Sequence, residues 1–422
     1  MKRTLLELCK SVLIAALAAA ILFLALLAIP PKTLASAPWL AGLLRPFAGV
    51  FGLSETELTP ALLPEPQGYA VAAQPVAISV LGPAGRYTAQ QNFSRLDEAY
   101  EQLGSALGQA LGTASEAQEV SVTALQLALQ QTSVAFFYPS ELPAGVLASW
   151  LDVSPQSLSA AWGYVLALEE DAVSLYLCSD SVYRLHTRLS PEILSTLTSS
   201  YGTDGSFFAF EDSSGLFSAA DPLSLLSVST SFPAYVAQNP CDARQTERLA
   251  SFFGFNPYGD GRYADASGVN FYNDSGASLT VSASGRLIFR PAGQEERFSA
   301  EPTDEARIET ARALAAELRA GLSADERLYL TGFEKSGSRA VCTFSYYLSG
   351  LQVCLPEGPA LRAEFDGERL TLLEMTLRTY TATGGAHTIL PAAQNAAISA
   401  PGVRLEVIYA DAAEPRPGWS AN

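Results

Sequence analysis

The chain has few of the residues on which common catalytic and metal centres depend. Its 422 residues include only two histidines and five cysteines. A zinc site of cysteine and histidine therefore has no usable ligand spacing, and five cysteines do not form a disulfide scaffold at this length. The motifs G-x-S-x-G, H-E-x-x-H, G-x-G-x-x-G and the P-loop are also missing. These absences argue against the common hydrolases, metalloproteases and nucleotide-binding enzymes.

Positive charge is scarce outside the amino terminus. The whole chain has 26 basic and 43 acidic residues, a formal net charge of −17. Beyond residue 32 the balance is 22 basic to 42 acidic residues. Such a surface repels phosphate backbones, so nucleic acid is not expected as a partner.

One long apolar run stands close to the amino terminus. Val12–Ile29 contains 18 consecutive apolar residues, which reach about 27 Å as a helix, enough to cross the hydrocarbon of a membrane. Lys2, Arg3 and Lys10 precede it, and the positive-inside rule then keeps the amino terminus in the cytoplasm. We therefore predict a single-pass cell-membrane anchor with the bulk of the chain extracellular.

The alternative interpretation of this run is a cleavable signal peptide. Ala35–Ala37 has the small-x-small form of a cleavage site. A signal peptide, however, has a shorter apolar region of about 7–15 residues. Both interpretations place the chain beyond Pro30 outside the cytoplasm.

The apolar run also carries a candidate contact surface. Ala15 and Ala19 are four residues apart, a small-xxx-small spacing that lets two membrane helices approach closely. We hypothesise that these two residues contact a transmembrane helix of a partner, although alanine is also simply common in this chain.

The patterning along the chain predicts an α+β fold: an N-terminal transmembrane helix, then extracytoplasmic lobes of helix plus antiparallel sheet. Two units, Asp242–Pro291 and Thr303–Tyr380, each read as a helix followed by a sheet, which suggests a diverged duplication. Gly202–Asn239 has no sustained period and is predicted to be an irregular connection. The predicted parts are the cytoplasmic tip and anchor (1–30), a juxtamembrane linker (31–75), an N-terminal α+β domain (76–239), a central helix-plus-sheet module (240–300) and a C-terminal helix-plus-sheet module (301–422).

Helix caps and one unusual loop mark the boundaries of these units. Ser94 is predicted to cap a helix over Phe93–Leu111, and Thr303 another. The loop Gly254–Tyr263, "GFNPYGDGRY", lacks the ligand series of a calcium-binding EF-hand. Gly254 fits the position after a helix end, so we predict a helix-to-sheet corner.

No catalytic, cofactor-binding or metal-binding residue is predicted, and the chain is predicted not to be an enzyme. His186 alternates with Arg184 and Arg188 on a strand and is expected to be exposed, and His387 follows two glycines in an expected loop. The acidic groups Glu169–Asp171 and Glu295–Glu296 are expected to be solvated turns.

Two further residue sets have open interpretations. Cys342 and Cys354 flank a hairpin and would face each other across a three-residue loop, whereas a two-residue loop would offset them. The favoured interpretation is that both are buried small apolar side chains. Aromatic side chains on predicted strands are expected to be core residues, with ligand binding as the alternative. These aromatics are Tyr176, Tyr183, Phe207, Phe208, Tyr346, Tyr347 and Tyr380.

From Ser133 onward the chain resembles the YycH/YycI group of extracytoplasmic regulators from Gram-positive bacteria. The resemblance rests on "GFNPYGDGRYADASGVNFYNDSGASLTVSASGRLIF", on "CTFSYYLSGLQVCLPEG", which is similar to a hairpin of PepSY-like modules, and on "VRLEVIYADAAEPRPGWSAN". The length and the additional N-terminal domain favour YycH over YycI.

The resemblance implies regulation by contact. Proteins of this group are signal-anchored and act on a membrane sensor histidine kinase of a cell-wall-linked two-component system, together with a related regulator protein. No cofactor and no catalytic residue come with the group. The alternative function is an extracytoplasmic ligand-binding module, for wall glycan or peptide, without catalysis.

Overall fold

The computed structural model describes residues 71–154, 158–266, 268–293, 298–322 and 325–420. Its contacts divide the chain into Met1–Pro64 and Glu65–Asn422, and every described residue belongs to the second unit. The apolar run Val12–Ile29 and most of the predicted linker lie outside the described residues. Within the described part, no helix has both the length and the apolar character needed to span a membrane.

The helices are short except for two. They are α1 (Phe93–Thr113), α2 (Val122–Leu129), α3 (Ala144–Trp150), α4 (Pro191–Ser199), α5 (Ala243–Phe252), α6 (Asp304–Leu318) and α7 (Ala392–Ala396).

The strands of the amino-terminal half are β1 (Ala77–Gly82), β2 (Gly85–Ala89), β3 (Gln118–Val120), β4 (Ser133–Leu142), β5 (Ala161–Glu169), β6 (Ala172–Cys178), β7 (Val182–His186), β8 (Phe207–Phe208), β9 (Leu225–Leu226) and β10 (Ser231–Gln238). Those of the carboxy-terminal half are β11 (Arg262–Ala264), β12 (Asn270–Asp274), β13 (Ala277–Val281), β14 (Arg286–Arg290), β15 (Glu326–Ser336), β16 (Arg339–Leu348), β17 (Leu351–Cys354), β18 (Leu361–Asp366), β19 (Arg369–Thr376), β20 (Thr379–Thr388), β21 (Val407–Ala410) and β22 (Arg416–Trp419).

The amino-terminal strands form a seven-stranded antiparallel sheet in the order β2-β1-β4-β5-β6-β7-β3. Ala135 and Phe137 of β4 pack in one cluster with Leu125 of α2, and the intervening Phe136 is buried as well. Helices α1 and α4 also contact this sheet. The central strands are therefore covered on both faces, which explains their nearly continuous apolar sequence.

The carboxy-terminal strands form an eleven-stranded sheet. Its order is β11-β12-β13-β14-β19-β18-β16-β17-β21-β22, and β15 pairs with β16. The pair β17–β21 is parallel, and the other pairs of this sheet are antiparallel. Strands β10 and β20 form a separate two-stranded ribbon.

The predicted fold class is wrong. Strands make up 40% and helices 23% of the structure, so sheet dominates, and no described helix is suited to a membrane. The strands expected in two lobes share one sheet, because β14 pairs with β19 from Arg286 to Phe289. The backbone N–H and C=O groups at the open edge of one short meander thus pair with those at the edge of the other. Periodicity in the sequence indicates that a segment is a strand but does not indicate which strand it pairs with. The predicted domain boundaries stay a prediction.

A charged contact joins the two large sheets. Arg327 of β15 donates to both carboxylate oxygens of Asp97 of α1, at 2.7 Å each, and lies 4.0 Å from the centre of the Phe93 ring. Ser140 of β4 donates to the Leu330 carbonyl of β15 at 3.3 Å. These bonds hold β4 beside β15.

Arginines also attach α6 to its surroundings. Arg319, just beyond the helix, pairs with Glu326 of β15, and both side chains are buried. Burial raises the pKa of the Glu326 carboxyl, and the Arg319 guanidinium opposes that rise. Arg248 of α5 donates to the Glu317 and Leu318 carbonyls at 3.0 and 2.7 Å, which satisfies the end of α6.

The cap predictions have mixed outcomes. Thr303 is confirmed as the cap of α6, because its hydroxyl accepts from the Ala306 N–H at 3.1 Å. Asn92 and not Ser94 caps α1, accepting from the Arg95 N–H at 3.1 Å. Both residue types are good caps, and the helix begins two residues earlier than Ser94 would allow.

The prediction of an irregular Gly202–Asn239 is wrong over its last part. Ser231–Gln238 forms β10, which pairs with β20. Pro233 is an unusual residue inside a strand. It is tolerated because its carbonyl accepts from Tyr409 on the side away from β20, so this position needs no ladder N–H.

Candidate functional site

The predicted partner contact at Ala15 and Ala19 lies outside the described residues, and so do Glu295 and Glu296. That contact stays a prediction. Among the described residues, no group of three or more metal-ligating side chains is close enough to hold an ion.

Both histidines lie on strands. His186 is exposed on β7, as expected, and its backbone N–H donates to Ser115 at 3.0 Å. His387 is not in a loop, because it lies in β20 opposite Phe232. In the described part of the chain, neither imidazole is hydrogen-bonded to a side chain.

The acidic turn after β5 has a structural role. Glu169 accepts hydrogen bonds from Ser174 at 2.6 Å and from the Tyr176 hydroxyl. Glu170 has a φ of +50°, a conformation typical of tight hairpins. Glu170 and Asp171 are exposed, as expected of a solvated turn.

The loop Gly254–Tyr263 is a helix-to-sheet corner, as predicted. Gly254 has a φ of +86° directly after the cap residue of α5, the left-handed conformation that glycine adopts at helix ends. The Tyr258 hydroxyl donates to Glu247 at 2.8 Å, and the Tyr263 ring stacks on Phe271 at 4.6 Å. Both tyrosines contact neighbouring elements of the corner and remain 75% and 55% exposed.

The two hairpin cysteines are not bonded to each other. Leu348 pairs with Leu351, so the loop has two residues, and Ser349 and Gly350 both have positive φ. This loop offsets Cys342 from Cys354, and both thiols are free. Cys342 is buried as expected, but Cys354 is exposed, so the expectation of two buried side chains is wrong for Cys354. Burial raises the pKa of the Cys342 thiol to about 12.

Most of the aromatic residues singled out in the sequence are core residues, as predicted from their positions on strands. Five of the seven are buried, namely Tyr176, Phe208, Tyr346, Tyr347 and Tyr380. Burial is the main reason that the pKa of the Tyr346 hydroxyl rises to about 12. Only Tyr347 of this set reaches the cleft described next.

A cleft of about 480 Å³ opens where the seven-stranded sheet meets the end of the eleven-stranded sheet. We call it the inter-sheet cleft. Its walls include Gln90 beside β2, Phe137 of β4, Trp162 of β5, Tyr347 of β16 and Arg404 before β21.

A wide bulge in β4 opens one side of the cleft. Phe137 pairs with Gly163 and Leu142 with Ala161. The four residues 138–141 therefore lie opposite Trp162 alone. A bulge of this kind interrupts the ladder of hydrogen bonds and bends the strand, which turns Glu141 and Trp162 toward the other sheet.

The aromatic wall of the cleft is centred on Trp162. The Phe137 ring lies 6.0 Å away at 24°, and the Arg404 guanidinium lies 4.3 Å from the Trp162 ring centre. Arg404 also pairs with Glu406 at 3.2 Å. The indole face under Arg404 is thus already occupied, and the positive charge of Arg404 is largely balanced.

Polar groups converge on the same space. Gln90 lines the cleft, and among the described residues its buried side-chain nitrogen has no hydrogen-bond partner; the adjacent Gln91 has a φ of +60°. A non-glycine residue in this region is strained and worth a functional explanation. Glu141 and Asp180 are exposed at the rim, and within the described residues neither forms an ion pair.

This arrangement is suited to binding. The Cys178 thiol lies near Trp162, and burial raises its pKa to about 12 against a smaller lowering by Arg404, so it is protonated and a poor nucleophile at neutral pH. An aromatic wall with a few convergent polar groups is typical of a binding site. Sequence reasoning missed Gln90, Trp162 and Arg404, which come from segments that only the fold brings together.

A second surface with binding potential is the outer edge of β20. Thr381–Ala386 ("TATGGA") is exposed and has no charged residue and no proline. Natural edge strands are usually protected by such residues. The edge is interrupted by a bulge, because Ala382 pairs with Tyr235 and Ala386 with Pro233, so its regular outer part lies at Ala386 and beyond.

The backbone of this edge points away from β10. The Ala382 N–H donates to the Asp325 carboxylate at 2.7 Å, on the side opposite β10. Ala386 pairs with Pro233, whose carbonyl also faces away from the ribbon's centre toward Tyr409. In an antiparallel pair of this kind, both residues direct their N–H and C=O groups outward. Ala386 therefore presents a free donor and acceptor to solvent.

Comparisons with models of known protein families, with curated proteins and with solved structures found no match. The resemblance to the YycH/YycI group therefore stays an interpretation of the sequence.

Proposed function

We propose that this chain is a membrane-attached extracytoplasmic regulatory protein that modulates a sensor histidine kinase by protein–protein contact. The location is inferred from the apolar run and its flanking positive charges. The kind of partner, and a related regulator protein as a second partner, are inferred from the resemblance to the YycH/YycI group. The proposal assigns no catalytic residue.

The observation that supports contact is the outer edge of β20. The outward main-chain groups of Ala386 can hydrogen-bond an added strand beyond the bulge, and strand addition is a common way in which a protein binds an extended segment of a partner. The small side chains of Thr381–Ala386 leave room for that segment. We therefore assign this edge as the surface that pairs with an extended extracellular segment of the kinase.

The test is crosslinking in intact membranes, followed by identification of the captured proteins. We compare the natural chain with Ala386→Pro, which removes the outward N–H, and with Ala386→Val, which keeps it. We expect capture of a sensor kinase by the natural chain and by Ala386→Val. Ala386→Pro should lower the captured amount about three- to tenfold, because one intermolecular hydrogen bond and its geometry are lost.

Two results would contradict the proposal at different levels. If Ala386→Pro captures as much kinase as the natural chain, the contact lies elsewhere. If no variant captures a kinase, the regulatory role itself is wrong. Thermal unfolding of each variant shows whether the proline substitution has left the fold intact.

A second candidate function is the binding of an extracytoplasmic ligand, such as wall glycan or peptide, without catalysis. The inter-sheet cleft favours it, because Trp162 and Gln90 line a space large enough for part of a small ligand. The two functions are compatible, since the cleft and the edge of β20 consist of different residues.

A further inference from the structure

Part of the outer edge of β20 is already paired, but with this chain itself. The Asp325 N–H donates to the Tyr380 carbonyl at 3.0 Å, and the Asp325 carboxylate accepts from the Ala382 N–H at 2.7 Å. The Glu326 carboxylate accepts from the Tyr380 N–H at 2.9 Å. On the side opposite β10, Asp325 and Glu326 thus occupy the positions that a third strand of the ribbon would take.

The contact made by Glu326 is a fixed part of the fold. Its side chain is 0% exposed and pairs with Arg319, whose side chain is 4% exposed. Moving the Glu326 carboxylate away would separate a buried ion pair, and breaking such a pair is strongly destabilising. An incoming strand is therefore not expected to displace this carboxylate from the Tyr380 N–H.

The contact made by the Asp325 side chain, in contrast, is at the surface. Asp325 and Ala382 are both exposed, so a carboxylate that leaves the Ala382 N–H returns to water and regains its hydration. Bonds between groups that water can reach contribute little net stability. The Asp325 N–H can stay bonded to Tyr380 while the side chain turns away, because main chain and side chain form separate bonds.

The position of Ala382 makes this surface contact relevant to strand addition. Ala382 and Ala386 both pair with β10, and residues 383–385 between them form the bulge. Both alanines direct their main-chain N–H groups outward, but the N–H of Ala382 is already bonded to Asp325. Release of that carboxylate gives an added strand a second outward donor, on the other side of the bulge.

We propose that the Asp325 carboxylate is an autoinhibitory cap on the outer edge of β20. It competes for the Ala382 N–H with a main-chain carbonyl of the extended partner segment, so strand addition extends past the bulge only when the cap is displaced. This inference rests on the proposed function, because the competing segment is the extracellular segment of the kinase. The chain thereby holds its own contact surface partly closed.

The test is crosslinking in intact membranes, at limiting crosslinker, with Asp325→Ala, which removes the carboxylate and keeps the main-chain bond to Tyr380. We expect this variant to capture about three- to tenfold more sensor kinase than the natural chain, because the Ala382 N–H is then open to the partner. Asp366→Ala is the matched control. It removes another exposed carboxylate, which accepts from the Ser338 hydroxyl at 2.6 Å, and it should leave capture unchanged.

Hydrogen exchange on the purified full-length chain tests the cap without a kinase. In Asp325→Ala the Ala382 amide should exchange at least about fivefold faster, whereas the Tyr380 amide stays slow because Glu326 still accepts from it. Asp325→Asn keeps an uncharged oxygen acceptor and should change both exchange and capture by less. Asp325→Asn also provides the test if the alanine variant does not fold.

Faster exchange of the Ala382 amide together with greater capture supports the cap. Unchanged exchange would overturn it, and so would faster exchange without greater capture, because the bond would then be merely structural. If the natural chain captures a kinase and Asp325→Ala captures no more, the proposed function stands and only the cap is wrong. If no variant captures a kinase, the proposed function is wrong and the cap is overturned with it.

Discussion

Removing the Arg327 side-chain charge at the junction of the two large sheets should lower the free energy of unfolding by about 2–4 kcal/mol. Arg327 of β15 binds Asp97 of α1 through two bonds of 2.7 Å, and the two side chains are only 10% and 20% exposed. Arg327→Met keeps most of the apolar stem but leaves the Asp97 carboxylate without its cation. The variant therefore isolates the charge from the packing.

The magnitude follows from the geometry of the pair. Two unit charges about 4 Å apart attract by roughly 4 kcal/mol at the effective dielectric constant of a protein surface. Breaking one partner of a fully buried pair costs about 3–5 kcal/mol, and water that reaches Asp97 lowers this cost. Loss of the cation–π contact with Phe93, at 4.0 Å, adds about 0.5–2 kcal/mol.

Urea unfolding followed by circular dichroism measures this change. Lys335→Met is the control, because Lys335 pairs with Asp304 at the same 2.7 Å but is 46% exposed, and its loss should cost less than about 1 kcal/mol. Adding Asp97→Leu to Arg327→Met should recover most of the loss, since no charge then remains unpaired. If Arg327→Met costs no more than the control, the pair does not stabilise the junction.

Three further predictions concern a glycine and the cysteines. Gly285→Ala should lower the free energy of unfolding by about 2–3 kcal/mol, because the φ of Gly285 is +89° and the new Cβ would lie 2.6 Å from the Leu377 oxygen. The control is Gly337→Ala, at a φ of +62° with open space around it, which should lower the free energy of unfolding by only about 1 kcal/mol in the same urea assay. At pH 8 a thiol reagent should modify the exposed Cys354 well before Cys178, because burial raises the pKa of the Cys178 thiol to about 12. Mass spectrometry measures the order of modification, and the reverse order would contradict the burial of Cys178. The folded pKa of Cys178 is higher than the unfolded value of about 8.5, so the contribution of the buried thiol to stability is complete below pH 8.5 and is lost as the pH rises toward 12. The Cys178→Ala variant should therefore show a smaller fall in the free energy of unfolding between pH 8.5 and 10. An unchanged slope would contradict the raised pKa of Cys178.

Local signals in the sequence located many elements well. The helix at Thr303 begins where a capping hydroxyl precedes two acids, and the loop at Gly254 is the corner that its glycine and Asn-Pro chemistry indicate. Such features depend on residues within one or two turns of each other, so they are visible in a linear sequence.

Pairing between distant segments was not visible in the same way. The strand at Ser231–Gln238 was missed because the segment has no sustained period, and only its partner β20 explains why Pro233 is tolerated there. The joining of β14 to β19 also contradicts the separate lobes expected. An edge strand carries no mark in its sequence of the strand that will pair with it.

The candidate surfaces illustrate the same limit. Gln90, Trp162 and Arg404 are unremarkable residues in three segments more than 60 residues apart in the sequence, and their convergence depends on the bulge of β4 and the contact between sheets. The outer edge of β20 is likewise a property of the fold, because it exists only where no other strand pairs with β20.

The sequence by itself determined the acidity of the chain, its apolar amino-terminal run, its lack of familiar catalytic motifs and some of its local turns and caps, because these properties depend on composition and on neighbouring residues. Only the tertiary structure decided which strands share a sheet, that Cys342 and Cys354 stay apart and that a polar, aromatic cleft lies between the sheets. Those outcomes depend on long-range hydrogen bonding and packing, in which many pairings compete and the fold as a whole selects one.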